Sequence, residues 1–400
     1  MNYLKKNITP ILIISQIFGL YGGMLQAPRL LAILFLPLLI QDLNKKLIKG
    51  KEYLLFFFSF IVYCVLSMLF LTFNNDQSLK EFAYALINFI IFVEILNFSK
   101  YLSLNKLING WVIFVLLSIP IALIEINFNL HFSNSKFGDD TVLGGVGTLR
   151  KYAAITFGNY NLYNHLLAIS FPFILAKLKF ISSKFFKILY ILFILAIVWV
   201  VLTNASRGTM LCLLISTIIY IIFYSSKSIS KTIIYTFISI IASVAGYIYV
   251  MNNASFSYLK TRIEQKGLED NSRKEMINVG IDMFINSKFL GVGAGNFSET
   301  ASKMTKNPIL VPHNLFIELL SQYGIVVFFT FLLLLYKIFN PKKIFKKREI
   351  PNYILLGSLL VMPLAFTINS VYLNNPYMWI WLASLYCISS FYKTTAKNVN

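Results

Sequence analysis

The chain has 400 residues, 57% hydrophobic and 13% charged, with a formal net charge of +20. That composition excludes a soluble globular domain and points to a polytopic membrane protein. Its apolar runs are continuous rather than alternating, which excludes a transmembrane β-barrel. The basic excess is scattered over short links between those runs, which argues against nucleic acid as its partner.

Apolar runs of about 17–25 residues, each able to cross a bilayer as a helix, predict about twelve spans, at roughly 8–25, 27–41, 53–73, 80–98, 108–128, 157–176, 185–203, 209–224, 232–251, 314–336, 353–372 and 376–392. The first is not a removable signal peptide: its apolar stretch is too long, and Gln26-Ala27-Pro28 offers no clear cleavage pattern. Most of the 36 lysines and arginines fall in links that twelve spans put on one side, such as Lys45, Lys46 and Lys49, Lys177 and Lys179, and Lys342 to Arg348. The positive-inside rule makes that side, and both termini, cytoplasmic. The other cations concentrate at 129–156 and 252–312, against this trend, and an anionic ligand is one reason for them to be there.

The expected fold is therefore an all-α integral membrane protein, a single polytopic domain over 1–400, with one large extracytoplasmic loop at 252–312 before the tenth span. No internal repeat of the transporter kind is visible. Cys64, Cys212 and Cys387 lie inside spans and read as small core- or lipid-facing residues. His131, His165 and His313 have neither the spacing nor the acidic partners of a metal site, and no motif calls for a cofactor.

Within the large loop, Ser272 and Glu275 form a capping box, predicting an amphipathic helix from about 272 to 286. Arg273, Ile277, Gly280 and Phe284 share one stripe of it, so Arg273 faces the protein or the membrane surface; the plainer alternative is an arginine snorkelling to headgroups. The run Gly291-Val292-Gly293-Ala294-Gly295 lacks the spacing of a dinucleotide loop and reads as a tight turn, with amides that could approach a phosphate.

Arg207, in Thr203-Asn204-Ala205-Ser206-Arg207-Gly208, stands between two spans joined by almost no loop. Guanidinium groups stay charged and bind phosphate bidentately. His313, in Pro312-His313-Asn314, begins the tenth span and is able to take a proton near neutral pH. Glu318 lies about one turn further on. His165 sits in the polar entrance to the sixth span, Asn159 to His165, either lining the same cavity or bonded within the bundle.

In order and spacing, Ser206-Arg207, Arg273, the glycine run ending Asn296-Phe297, and Pro312-His313-Asn314 followed by Gly324 resemble the superfamily of O-antigen ligases and polymerases. The motifs cover about 150–335; the rest agrees in topology. The resemblance implies metal- and cofactor-independent glycosyl transfer on the outer face of a bacterial cytoplasmic (inner) membrane. The donor would be a glycan on undecaprenyl pyrophosphate, the acceptor a saccharide or lipid-linked glycan, and a chain-length regulator a further partner. Arg207 and Arg273 would hold the departing pyrophosphate, His313 would activate or position the acceptor hydroxyl, and Arg262, Asn314, Glu318 and His165 would contribute to substrate binding. Asn286-Ser287-Lys288-Phe289 replaces the proline that often precedes the glycine run in the family. A polymerase is favoured over a ligase because such enzymes also serve capsules and exopolysaccharides. A polysaccharide transporter or lipid-linked glycan flippase, and a non-catalytic scaffold, are the competing classes.

Overall fold

The computed structural model describes residues 2–19, 26–43, 50–70, 75–131, 151–224, 271–305, 311–345 and 349–395, with isolated positions between 233 and 260. For 2, 75, 271, 272, 343 and 391–395 only the backbone is described. The helices are α1 (Asn2–Ile14), α2 (Ala27–Leu43), α3 (Lys51–Phe70), α4 (Asn75–Ser99), α5 (Leu104–Phe128), α6 (Tyr160–Lys177), α7 (Lys184–Thr203), α8 (Arg207–Tyr224), α9 (Asn271–Asn286), α10 (Phe297–Thr305), α11 (Leu315–Ile338), α12 (Ile350–Ala365) and α13 (Pro376–Thr395). No strand occurs among the described residues.

Among the described residues six helices, α3, α4, α5, α7, α8 and α11, are long and apolar enough to cross a membrane. The expected first, second, sixth, eleventh and twelfth spans are also helical, but shorter, more polar or only partly described. The expected ninth, 232–251, lies outside the described residues apart from a few positions. Two boundaries move for identifiable reasons. The first helix starts well before residue 8 because Lys5, which reads as a loop cation, is buried against Asp42 at 2.7 Å. The eleventh ends at Ala365 rather than 372, and 366–375 turns back as a non-helical link into α13.

The distribution of side chains is that of a membrane protein. On α7 only Ile197, Val200 and Val201 are buried, while Phe185, Leu192 and Trp199 face outward. Inside the bundle, Asn88, Asn97, Asn164, His165 and Asn204 are almost fully buried. Polar groups so placed need partners, and most find them within the chain. The core joins α1 through α8 to α11, α12 and α13. α12 packs on α8 and α6, α13 on α4, and α11 on α3.

One end of the bundle is tied by Asp42. Its carboxylate accepts from Lys5, Lys100, Asn97 and Tyr101, fastening α1, α2 and α4 together. Burial alone would raise the Asp42 pKa, but hydrogen bonds from the two lysines, Tyr101 and Asn97 outweigh it and hold it well below the usual carboxylate range.

Helix α11 is broken. Gly324, with φ 72°, interrupts it and frees backbone groups on both sides. The glycine run docks there. Val292 and Gly293 donate to the carbonyls of Ser321 and Gln322 at 2.8 and 3.1 Å, and Ile325 donates to the carbonyl of Phe289 at 3.0 Å. Gly291 adopts φ 87°, and a Cβ on it would stand 2.6 Å from the Gln322 carbonyl oxygen. Only glycine allows both the dihedral and the approach. Next to this junction α9 and α10 form a small second core of Met276, Val279, Met283, Phe297 and Ala301, packed on Ile317 of α11.

Candidate functional site

The end of the bundle opposite Asp42 gathers most of the residues singled out in the sequence, and the turn 366–375 is their common support. Arg273 donates from both terminal nitrogens to the carbonyls of Thr367 and Ile368. His313 donates its amide to Ser370 at 3.1 Å, and Leu315 donates to Phe366 at 3.2 Å. Gly208, next to Arg207, lies against the side chain of Ile368. His165 bonds through Nδ1 to the carbonyl of Ala365 at 2.9 Å, its ring against Phe366 and Tyr372.

Arg273 reaches this turn because of the face it occupies on α9. The buried positions of that helix are Met276, Val279, Gly280 and Met283, with Ile277 and Phe284 half-buried beside them. The stripe is thus centred slightly away from the expected one, with Arg273 at its head, turned to the protein instead of snorkelling. α9 begins at Asn271, and the capping side chain of Ser272 lies outside what is described.

Arg207 opens α8 rather than closing α7. A cation at a helix N-terminus opposes the macrodipole, by about 0.3–1 kcal/mol, so helix stability does not ask for arginine there. Its approach is built by Asn204, fully buried, whose side chain bonds to the backbone of Ala153 and to Asn164. Ala205 between them has φ 52°.

His313 has φ 49°, and Ala205, Lys288, Phe289 and His313 all adopt the left-handed backbone that L residues avoid. Such conformations cost of order 1 kcal/mol or more each and persist where the surroundings impose them, often at functional sites. Here they flank Arg207, the glycine run and the helix start at 315.

Three expected substrate contacts have internal duties. The Asn314 side-chain oxygen caps α11, accepting from Phe316 and Ile317 at 2.9 and 3.2 Å. Glu318, 1% exposed, accepts the amides of Tyr372 and Leu373 and so pins the far side of the turn. His165, 2% exposed, forms part of the floor beneath it. Arg262 lies outside the described residues.

The phosphate-approach reading of the glycine run does not hold in this geometry. Every amide from Gly291 to Asn296 is already committed: to Ser287 Oγ, the Ser321 and Gln322 carbonyls, Ser67 Oγ, Gln322 Oε1 and the Gly293 carbonyl in turn. The run is a clasp on the broken helix. Among the described residues no group of histidine, cysteine and acidic side chains could hold a metal ion, and the three cysteines are free and buried.

Two supports were not read from sequence. One is the 366–375 turn itself, whose only signal was the recurrence of Asn369, Asn374 and Asn375 in what looked like the end of one span and the start of the next. The other is a buried network of Glu81 with Asn374, Gln77 and Tyr323, completed by Arg29, which donates to the Asn374 carbonyl and stacks 4.0 Å over Tyr84. It fastens α2, α4 and α11 to the same turn.

Residues 191–332 match the family model described as O-antigen ligase. No curated protein matches the chain. The matched stretch contains Arg207, Arg273, the glycine run, His313 and Gly324, in the arrangement just described. That family is a class of glycosyl-transferring enzymes, and several membrane-capable helices among the described residues fit a multi-pass membrane protein. Over residues 191–332 the chain is thus similar to the O-antigen ligase family, in line with the resemblance to the superfamily of O-antigen ligases and polymerases.

Proposed function

We propose that the protein transfers a glycan from undecaprenyl pyrophosphate to a saccharide hydroxyl on the outer face of the cytoplasmic membrane, polymerising O-antigen, capsule or exopolysaccharide repeat units. The observation that carries this reading is the convergence of Arg273, His313 and the Arg207 segment on the turn after α12. In the reaction the acceptor oxygen bonds to the anomeric carbon, the bond from that carbon to the pyrophosphate oxygen breaks, and His313 takes the hydroxyl proton. Arg207 and Arg273 stabilise the charge growing on the pyrophosphate, with Arg262 as a third cation. Asn314, Glu318 and His165 set the geometry of the turn and of His313. The twelve-span topology with both termini cytoplasmic belongs to this reading, supported by the lysine-rich links.

The test is the glycan profile of a deletion strain complemented with Arg207→Ala, Arg273→Ala or His313→Asn. Asparagine tolerates the left-handed backbone at 313 and keeps the fold while removing the base. At normal protein levels, the expected result is loss of long chains, one repeat unit left on the core, and lipid-linked precursor on the outer leaflet. Precursor held on the inner leaflet would mean flipping, and an unchanged profile would remove these residues from the reaction. The description of the matching family favours one second reading, ligation to lipid A core; bare core with accumulated lipid-linked polymer would select it.

A further inference from the structure

At the Asp42 end, away from the transfer site, a crevice of about 570 Å³ opens between the α4–α5 link, the segment after α6, the end of α8 and the start of α12. Its walls are largely apolar, with Leu104, Phe180, Tyr224 and Ile350 among them. Cations crowd it. The Lys179 ammonium lies 4.3 Å from the centre of the Tyr224 ring, and the Lys177 ammonium donates to Asn105, another wall residue, at 2.9 Å. Burial lowers the pKa of both lysines, and nearby Lys187 lowers that of Lys179 further. Among the described residues neither Lys177 nor Lys179 forms an ion pair; the one carboxylate in the wall is the exposed Glu349.

We propose that this crevice binds one anionic phospholipid, its phosphate between Lys177 and Lys179 and the head of an acyl chain along Phe180, Tyr224 and Ile350. An unbalanced pair of ammoniums beside an apolar wall is complementary to a phosphate joined to a hydrocarbon. Inorganic phosphate would leave the apolar walls without a partner, and zwitterionic phosphatidylcholine would bring its own cation up to the lysines. The proposal rests on the membrane reading of the chain, but not on the reaction at the other end.

The full-length protein in detergent, titrated with phosphatidylglycerol, phosphatidylcholine or inorganic phosphate, tests it by native mass spectrometry. One phosphatidylglycerol is expected to be retained in preference to phosphatidylcholine. Neutralising each lysine is expected to weaken retention about fivefold, so Lys177→Gln with Lys179→Gln loses about 25-fold. The exposed pair Lys6→Gln with Lys106→Gln should change nothing. Lys177→Arg with Lys179→Arg should keep binding, which separates lost charge from lost fold. Equal retention of phosphatidylcholine, equal loss in the Lys6 and Lys106 pair, or displacement by inorganic phosphate at the lipid's own concentration overturns the proposal. Glycan transfer by the same preparations is a separate readout, so its failure alongside intact lipid binding would count against the transfer reading alone.

Discussion

Arg273 shows how a single side chain ties recognition to architecture. Its two terminal nitrogens reach consecutive carbonyls, Thr367 and Ile368, which fixes the plane of the guanidinium against the turn. A lysine keeps the charge but offers one ammonium on a flexible stem. Arg273→Lys should therefore preserve protein level yet reduce glycan transfer by about tenfold, the value of one charge-assisted hydrogen bond. Chain-length profiles beside an immunoblot would check this, and full activity in the lysine variant would show that the fork is not used. At this scale the sequence was informative for charge and less so for role. Arg207 and Arg273 stood out because they are cations against a topological trend, and His313 because it opens a span beside Asn314. Asn314, Glu318 and His165 looked equally chemical, but Asn314 Oδ1, both Glu318 oxygens and His165 Nδ1 bond to backbone groups, and only three-dimensional pairing reveals that.

The clasp between the glycine run and α11 is the clearest case at the scale of elements. A Cβ on Gly324 would lie 2.3 Å from the Leu290 carbonyl oxygen, at a positive φ. Gly324→Ala should cost about 3 kcal/mol from dihedral strain and overpacking together. Gly357→Ala is the matched control: that glycine is helical, and its added methyl would meet Pro172 at an ordinary 3.4 Å. It should be neutral or stabilising by up to about 1 kcal/mol. Thermal unfolding of the two variants in detergent compares them directly. Both glycine motifs were visible in the sequence, yet their partnership was not, since the segments around 291 and 324 are joined by backbone hydrogen bonds that carry no side-chain signature. The shortened eleventh span has the same cause: the residues after 365 are apolar enough to read as helix, but their carbonyls are claimed by Arg273 and His313.

Across the whole molecule, the two ends are fastened by different chemistry. The end that carries the candidate site relies on single side chains, Arg273, Arg29, Glu81 and Glu318, bonded mostly to the backbone or amides of one turn, the other on the ion cluster of Asp42 and its two lysines. Because the folded state lowers the Asp42 pKa, its contribution to stability is fully present above the ordinary carboxylate value of about 4 and fades as pH falls through and below it. Wild type should thus lose thermal stability more steeply than Asp42→Asn as the pH is taken from 4 down to 2. That variant should start about 3 kcal/mol less stable, because it leaves Lys5 buried without a counter-charge; parallel slopes would show that Asp42 does not govern the acid limb. The turn 366–375 has a different consequence. It lies beyond the 191–332 stretch by which the family is recognised, although Arg273 and His313 hang from it. The heritable unit of this site is therefore longer than its signature. A chimera that exchanges only the recognised stretch would graft the reactive side chains onto a foreign bracket, whereas one extended to 375 would carry the bracket with them.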